Sequence, residues 1–199
     1  MTVTGYHDRV LGGWWSHRET VGGLMFWAGV HDIDTLRFLC GEVASVYAVA
    51  GPKTHPNSNY HDSISAILRF RDGAIGSFQV SPNYPLRQYR TSFSFEIVCE
   101  RGGMSYDPVR ISVAYQASGG DRQEVHFDGY GHEIAFQREF QSFLSWILRD
   151  EPPLLRGEDG LRCVEILQAI ELSIARRAEV TLPLAVDERG PNILSIMER

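Results

Sequence analysis

The chain has 199 residues, 43% hydrophobic and 22% charged, with a net charge of −6; this is ordinary globular composition, enough to bury roughly 70% of the unfolded surface. The length argues against a dinucleotide-binding domain joined to a separate substrate domain, which together take about 300 residues. The acidic balance argues against a nucleic-acid partner, and no apolar run approaches the roughly 20 residues of a membrane helix. Met1–Gly5 lacks a signal-peptide core, so a soluble cytoplasmic protein is expected.

Thr2 to Tyr6 reads as a strand remnant. Gly12, Gly13, Trp14 and Trp15 then break any periodicity. From Leu24 to Cys40, Phe26, Val30, Ile33, the Arg37 stem and Cys40 recur at helical spacing, and Gly41 follows where a helix would end. Val43 to Ala50 reads as a strand, and Gly51 to His61, with two prolines, as a loop. Ile64–Arg71, Asp72-Gly73 and Ala74–Ser81 form a strand, tight turn and strand, hence antiparallel neighbours. Arg90–Glu100 alternates as a half-buried strand, and Arg101-Gly102-Gly103 turns it into Met104–Asp107. Arg110–Gln116 and Glu124–Asp128 make another hairpin around Ser118–Asp121.

Two helices follow. Ile134–Arg149 carries Phe136, Phe140, Phe143, Leu144 and Ile147 on one stripe. Glu158–Arg177 carries Cys163, Ile166, Leu167, Ile170 and Ile174 on another, with acids in its first turn and arginines in its last. A short strand, Glu179–Leu182, ends at Pro183. The order predicts an α+β fold: a mostly antiparallel open sheet with helices packed on one face, in one domain spanning residues 1–199. Its other face is then solvated or covered by a partner. Cys40, Cys99 and Cys163 are odd in number and widely spaced, which speaks against disulfides and zinc knuckles.

Few motifs carry chemistry. Gly129-Tyr130-Gly131 is the one G-x-G between a strand and a helix. The next required glycine is Ile134, and no second βαβ half follows, so no dinucleotide site is expected in this chain. His31, Asp32, Asp34, His61 and Asp62 are metal-ligating types without a recognised ligand spacing, so no metal site is expected. On a helix, His31 shares a face with Trp27, Asp34, Thr35 and Phe38. A histidine beside a carboxylate can hold a general acid/base near neutrality, or can be a capped structural histidine. Trp14 and Trp15 are pocket, core or interface candidates.

Gly22-Gly23, Gly29-Val30-His31-Asp32-Ile33-Asp34 and Leu36 to Glu42 resemble a signature of the C-terminal domain of the glucose–fructose oxidoreductase/inositol dehydrogenase (Gfo/Idh/MocA) family. Asp62 to Ala74, Phe95 to Gly103, Phe140 to Phe143, Gly157 to Gly160 and Ala169 to Pro183 resemble further family segments in order, so the likeness runs from about Trp14 to Pro183, with 184–199 as a tail. The resemblance implies the substrate-binding and oligomerisation domain of an NAD(P)-dependent oxidoreductase acting on a sugar, polyol or related carbonyl compound. It implies His31 as acid/base or substrate-orienting residue, with Asp34 orienting it and Trp27, Trp14 and Trp15 lining the substrate site. It also implies self-association through the open sheet and NAD(P) bound by a Rossmann domain absent here, so that the chain is a fragment, a truncated product or one subunit of a split enzyme. Trp27 stands where the family often has aspartate, which favours the alternative of a non-catalytic scaffold derived from the family. A metal-dependent hydrolase is a third reading.

Overall fold

The computed structural model describes residues 2–7, 13–82, 91–108, 110–127 and 131–185. Nine strands form one sheet in the order β8-β7-β6-β5-β1-β4-β3-β2-β9. β1 (Thr2–His7) lies between β4 and β5, parallel to β4 (Ile75–Ser81) and antiparallel to β5 (Thr91–Cys99). Every other pairing is antiparallel. The sheet is therefore α+β in kind and mostly antiparallel, as the order of elements predicts.

The hairpin of β3 (Ile64–Phe70) and β4 turns at Asp72-Gly73, where Gly73 has φ +94° and Asp72 Oδ1 accepts the Ala74 N–H at 3.0 Å. A side chain at Gly73 would strain that turn. β3 alternates buried and exposed along its whole length, as one covered and one open face require. β6 (Gly102–Asp107) begins at the two glycines themselves, so the turn there is Glu100-Arg101. β7 (Ser112–Ala117) and β8 (Gln123–His126) pair across Ser118–Asp121. Arg90 and Asp128, expected at strand ends, lie outside the described residues.

One face of the sheet carries the core. A short α1 (Arg18–Val21) leads through Gly22-Gly23 into a π-helical turn, Met25–Gly29, which continues as α2 (Val30–Cys40). Leu24, Met25, Ile33 and Leu36 pack with Val46 and Ala48 of β2 (Val43–Ala50), Leu68 of β3 and Phe78 and Val80 of β4. From α4 (Gly157–Arg176), Leu167 and Ile170 close the cluster. Apart from the small Ala48, each such side chain contributes roughly 1.5–3 kcal/mol on burial. At Gly29 an added Cβ would stand 3.0 Å from Phe78 Cζ, so glycine sets how closely this helix approaches the sheet. The short β9 (Val180–Thr181) pairs with the outer edge of β2.

α3 (His132–Arg149) departs from the core-facing stripe that its spacing predicts. Phe140 is 66% exposed, Phe143 53% and Ile147 60%. α2 and α4 already occupy the helical side of the sheet, and the stripe of α3 lies outside that layer.

Candidate functional site

Two clusters grow from the 22–40 segment. The first is aromatic. Trp15 stands edge-on to Trp27 with centroids 4.7 Å apart, and Trp14 lies 3.9 Å from Trp15 at 33°. The Tyr60 hydroxyl donates to the Trp15 carbonyl at 2.7 Å, and the Tyr60 ring lies against Gly23. The loop that delivers Tyr60 is pinned from within. Asp62, fully buried, accepts from Thr54 N–H and Oγ1–H at 2.9 Å and from His55 N–H at 2.8 Å. The three tryptophans named from sequence are thus brought together.

The second cluster surrounds His31. It is exposed at the start of α2 and lines a groove of about 800 Å³ with Phe136, Glu139, Phe140, Phe143 and Trp146 of α3, and Arg156 before α4. Hydrogen bonding from Thr35 Oγ1–H to the His31 carbonyl at 3.0 Å ties its backbone to the next turn. The π-helical turn Met25–Gly29, which holds Trp27, is wider than an α-turn, so the four-residue alignment of Trp27 with His31 does not carry over unchanged. The tryptophan cluster does not line this groove.

Asp34 faces α4. Its Oδ1 accepts from Cys163 Sγ–H at 3.7 Å. Beside it, Arg37 reaches Glu42 Oε1 at 2.5 Å, the Asp159 carbonyl at 3.2 Å and Cys163 Sγ at 3.8 Å. Asp159 also caps α4 by accepting the Arg156 N–H at 2.9 Å. This network locks α2 onto α4 and so holds the helix that presents His31. Burial pushes the Cys163 thiol up to about 11, leaving it neutral and inert at ordinary pH.

Asp32 is buried, with 3% of its surface exposed, and its Oδ2 has no hydrogen-bond partner. Burial alone pushes its carboxyl up to about 7. No group of three or more His, Cys, Asp or Glu is placed to hold a metal ion among the described residues.

The described residues do not fit a dinucleotide. β8 runs antiparallel to β7 rather than opening a βαβ unit, and Gly131 serves as the N-cap of α3. Gly129 and Tyr130 lie outside the described residues. No helix among the described residues is long and apolar enough to cross a membrane.

The groove-lining aromatics of α3 were legible only as a stripe. Phe140 and Phe143 have the spacing of core residues, and spacing does not say which body they meet. Arg156 carries no sequence signal for the site.

Comparisons with known proteins bear on this geometry. The family model described as GFO/IDH/MocA C-terminal domain matches residues 1–105. Myo-inositol 2-dehydrogenase of Thermotoga maritima is 27% identical over 168 residues, 81% of this chain and 49% of the relative. Inositol 2-dehydrogenase of Rhizobium meliloti is 27% identical over 169 residues, covering 81% and 50%. The solved structure of a levoglucosan dehydrogenase in complex with NADH superposes with a TM-score of 0.83 at 22% identity, over 92% of this chain and 58% of that one. The chain spans about half the length of the curated relatives it matches.

Proposed function

Given that the chain belongs to the GFO/IDH/MocA C-terminal-domain family, we propose that it is the substrate-binding half of an NAD(P)-dependent oxidoreductase acting on a sugar, polyol or related carbonyl compound in the cytoplasm. The observation that carries this reading is His31, exposed in a concave groove of about 800 Å³ whose other walls are aromatic and polar.

His31 is the proton-handling residue of the proposal. Its imidazole accepts a proton from, or returns one to, the reacting hydroxyl oxygen of the substrate. Phe140, Phe143 and Trp146 give the apolar faces of a sugar ring a surface to lie on, and Glu139 and Arg156 offer an acceptor and a donor to its hydroxyls. Asp34 contributes by position, through the contact with Cys163 that seats α2. Trp14, Trp15 and Trp27 pack against one another and do not line this groove. A nicotinamide supplies the hydride chemistry of such enzymes. The described residues do not form a site for it.

The open face of the sheet supports self-association. Tyr47, Val49, Ile67 and Ile75 are exposed there, and an apolar face of this kind is a common contact between subunits. Light scattering that finds a monomer at micromolar concentration would remove this part.

A scaffold derived from the family is the second reading, favoured by Trp27 where the family often has aspartate. Titration of the chain with myo-inositol and levoglucosan, followed through the His31 imidazole resonance by NMR, separates the two. Saturable shifts, lost in Phe140→Ala, whose ring lines the same groove, support the substrate half. A resonance that no polyol moves overturns it.

A further inference from the structure

We propose that Cys40 and Cys99 form a reversible disulfide in response to a peroxide, a redox latch between the end of α2 and the end of β5. Their distance in sequence hides the pairing, and the sheet creates it. On β5, Phe95 packs against the core, and side-chain alternation puts Ile97 and Cys99 on that same face. α2 lies on this face too, with Gly29 against Phe78 of β4. Cys99 therefore points to the side of the sheet that carries Cys40.

Both cysteines also lie at one end of the sheet. β5 is antiparallel to β1 and β1 is parallel to β4, so β5 ends where β4 begins, beside the Asp72-Gly73 turn. Two residues after Cys40, the Glu42 carbonyl accepts the Arg71 N–H at 2.9 Å, which ties the end of α2 to the same turn. Only β1 stands between β5 and β4, so their backbones are about 10 Å apart. Electrostatics agree: burial, first, and then the charges of Cys99 and Asp72 push the Cys40 thiol up. Cys163 is set apart, buried on α4 with its Sγ–H on Asp34.

Exposure assigns the roles. Cys99 is exposed and meets the oxidant, and Cys40 is half-buried and resolves the product. The Cys99 thiolate attacks one oxygen of hydrogen peroxide. An S–O bond forms, the O–O bond breaks, and the departing hydroxide takes up the proton that the thiol gave up. Sulfur is thereby oxidised to a sulfenic acid and the peroxide is reduced to water. The Cys40 sulfur then attacks the sulfenic sulfur; the S–S bond forms, the S–O bond breaks, and hydroxide leaves with the Cys40 proton as water. A disulfide needs Cα atoms about 4.4–6.8 Å apart, so the two ends draw together as it closes. Each cysteine is the last residue of its element, where backbone opens most readily. The seam with Asp159 and Cys163 holds α2 to α4, which lies over β2, whereas the latch holds α2 to β5, on the other side of β4. A thiol reductant releases it.

The test treats the 199-residue chain with an equivalent of hydrogen peroxide and maps its tryptic peptides without reduction; arginines and a lysine place each cysteine on its own peptide. Cys40 and Cys99 are expected to lose their thiols together as one disulfide, with the mass falling by two hydrogens, while Cys163 keeps its thiol. Dithiothreitol then restores all three. In Cys40→Ser, Cys99 is expected to stop at the sulfenic acid, trapped by dimedone, and in Cys99→Ser, Cys40 keeps its thiol; circular dichroism checks both folds. The parent chain gives a second readout, since amides at the end of α2 exchange more slowly after oxidation and recover on reduction. The proposal is overturned if Cys40 stays a thiol while Cys99 oxidises, if the disulfide joins two chains through Cys99, or if it includes Cys163. Exchange at the end of α2 that oxidation leaves unchanged also overturns it.

Discussion

Cys163 Sγ lies 3.7 Å from Asp34 Oδ1, joining the middle of α2 to α4 across the helical layer of the fold. The carboxylate that stands three residues after His31 is therefore part of the brace that holds the helix. With Arg37 bonded to Asp159 and Glu42 alongside, a polar seam runs between the two helices. The seam fixes the helix on which His31 stands.

Cysteine reactivity checks the seam. Cys99 is exposed, whereas Cys163 is buried with its thiol raised to about 11. Iodoacetamide at pH 8 is expected to alkylate Cys99 within the native state and Cys163 only on unfolding, as read by mass spectrometry of peptides. Alkylation of Cys163 at the rate of Cys99 would contradict the placement of α4.

Replacing Arg37 by Ala removes the cation at the centre of the seam, whose side chain is almost wholly covered while Glu42 and Asp159 remain partly wet. Because its partners keep access to water, the loss is expected near 2 kcal/mol rather than the 3–5 kcal/mol of a fully buried pair. Urea unfolding with an unchanged slope measures it.

Asp32 makes stability depend on pH. Its carboxyl is held near 7 by burial, against an ordinary value of 3.8. Between those values the folded chain binds more protons than the unfolded one, so stability falls as pH rises through the window. Asp32→Asn is expected to flatten that slope and to be more stable than the parent at pH 8 by upwards of 1 kcal/mol. Thermal unfolding at pH 5 and pH 8 compares the two; parallel slopes would refute the burial of this carboxyl.

Gly29→Ala tests how the helix meets the sheet. The new methyl group stands 3.0 Å from Phe78 Cζ, and Phe78 is fully buried, so neither side yields freely. A loss of about 1–3 kcal/mol is expected from overpacking. A shift of the His31 imidazole resonance should accompany it, because His31 lies two residues further along the same helix.

Much of the fold was legible in single elements. The Asp72-Gly73 hairpin, the Val43–Ala50 strand and the helix ending at Gly41 each rest on a local pattern, and each forms where that pattern lies. Boundaries moved where glycine was read as a turn: Gly102 and Gly103 instead begin β6, packed so closely that an added Cβ at Gly103 would stand 2.8 Å from the Ile97 carbonyl oxygen. The insertion of β1 between β4 and β5 was not legible. A strand's pattern reports its two faces but not its neighbours, which depend on pairings far apart in sequence.

The candidate site divides along the same line. His31, Asp34 and the three tryptophans were legible as residue types in a pattern, and the sequence by itself determined the helix that carries most of them and the α+β class around it. Only the tertiary structure decided what each one faces: Asp34 meets Cys163, 129 residues away, Asp32 is sealed without a partner for Oδ2, and His31 opens onto α3. The physical reason is that hydrophobic periodicity is the same for a stripe that meets its own core and for one left exposed, as on α3. Local chemistry shapes the element, and the packing of distant elements selects its partner.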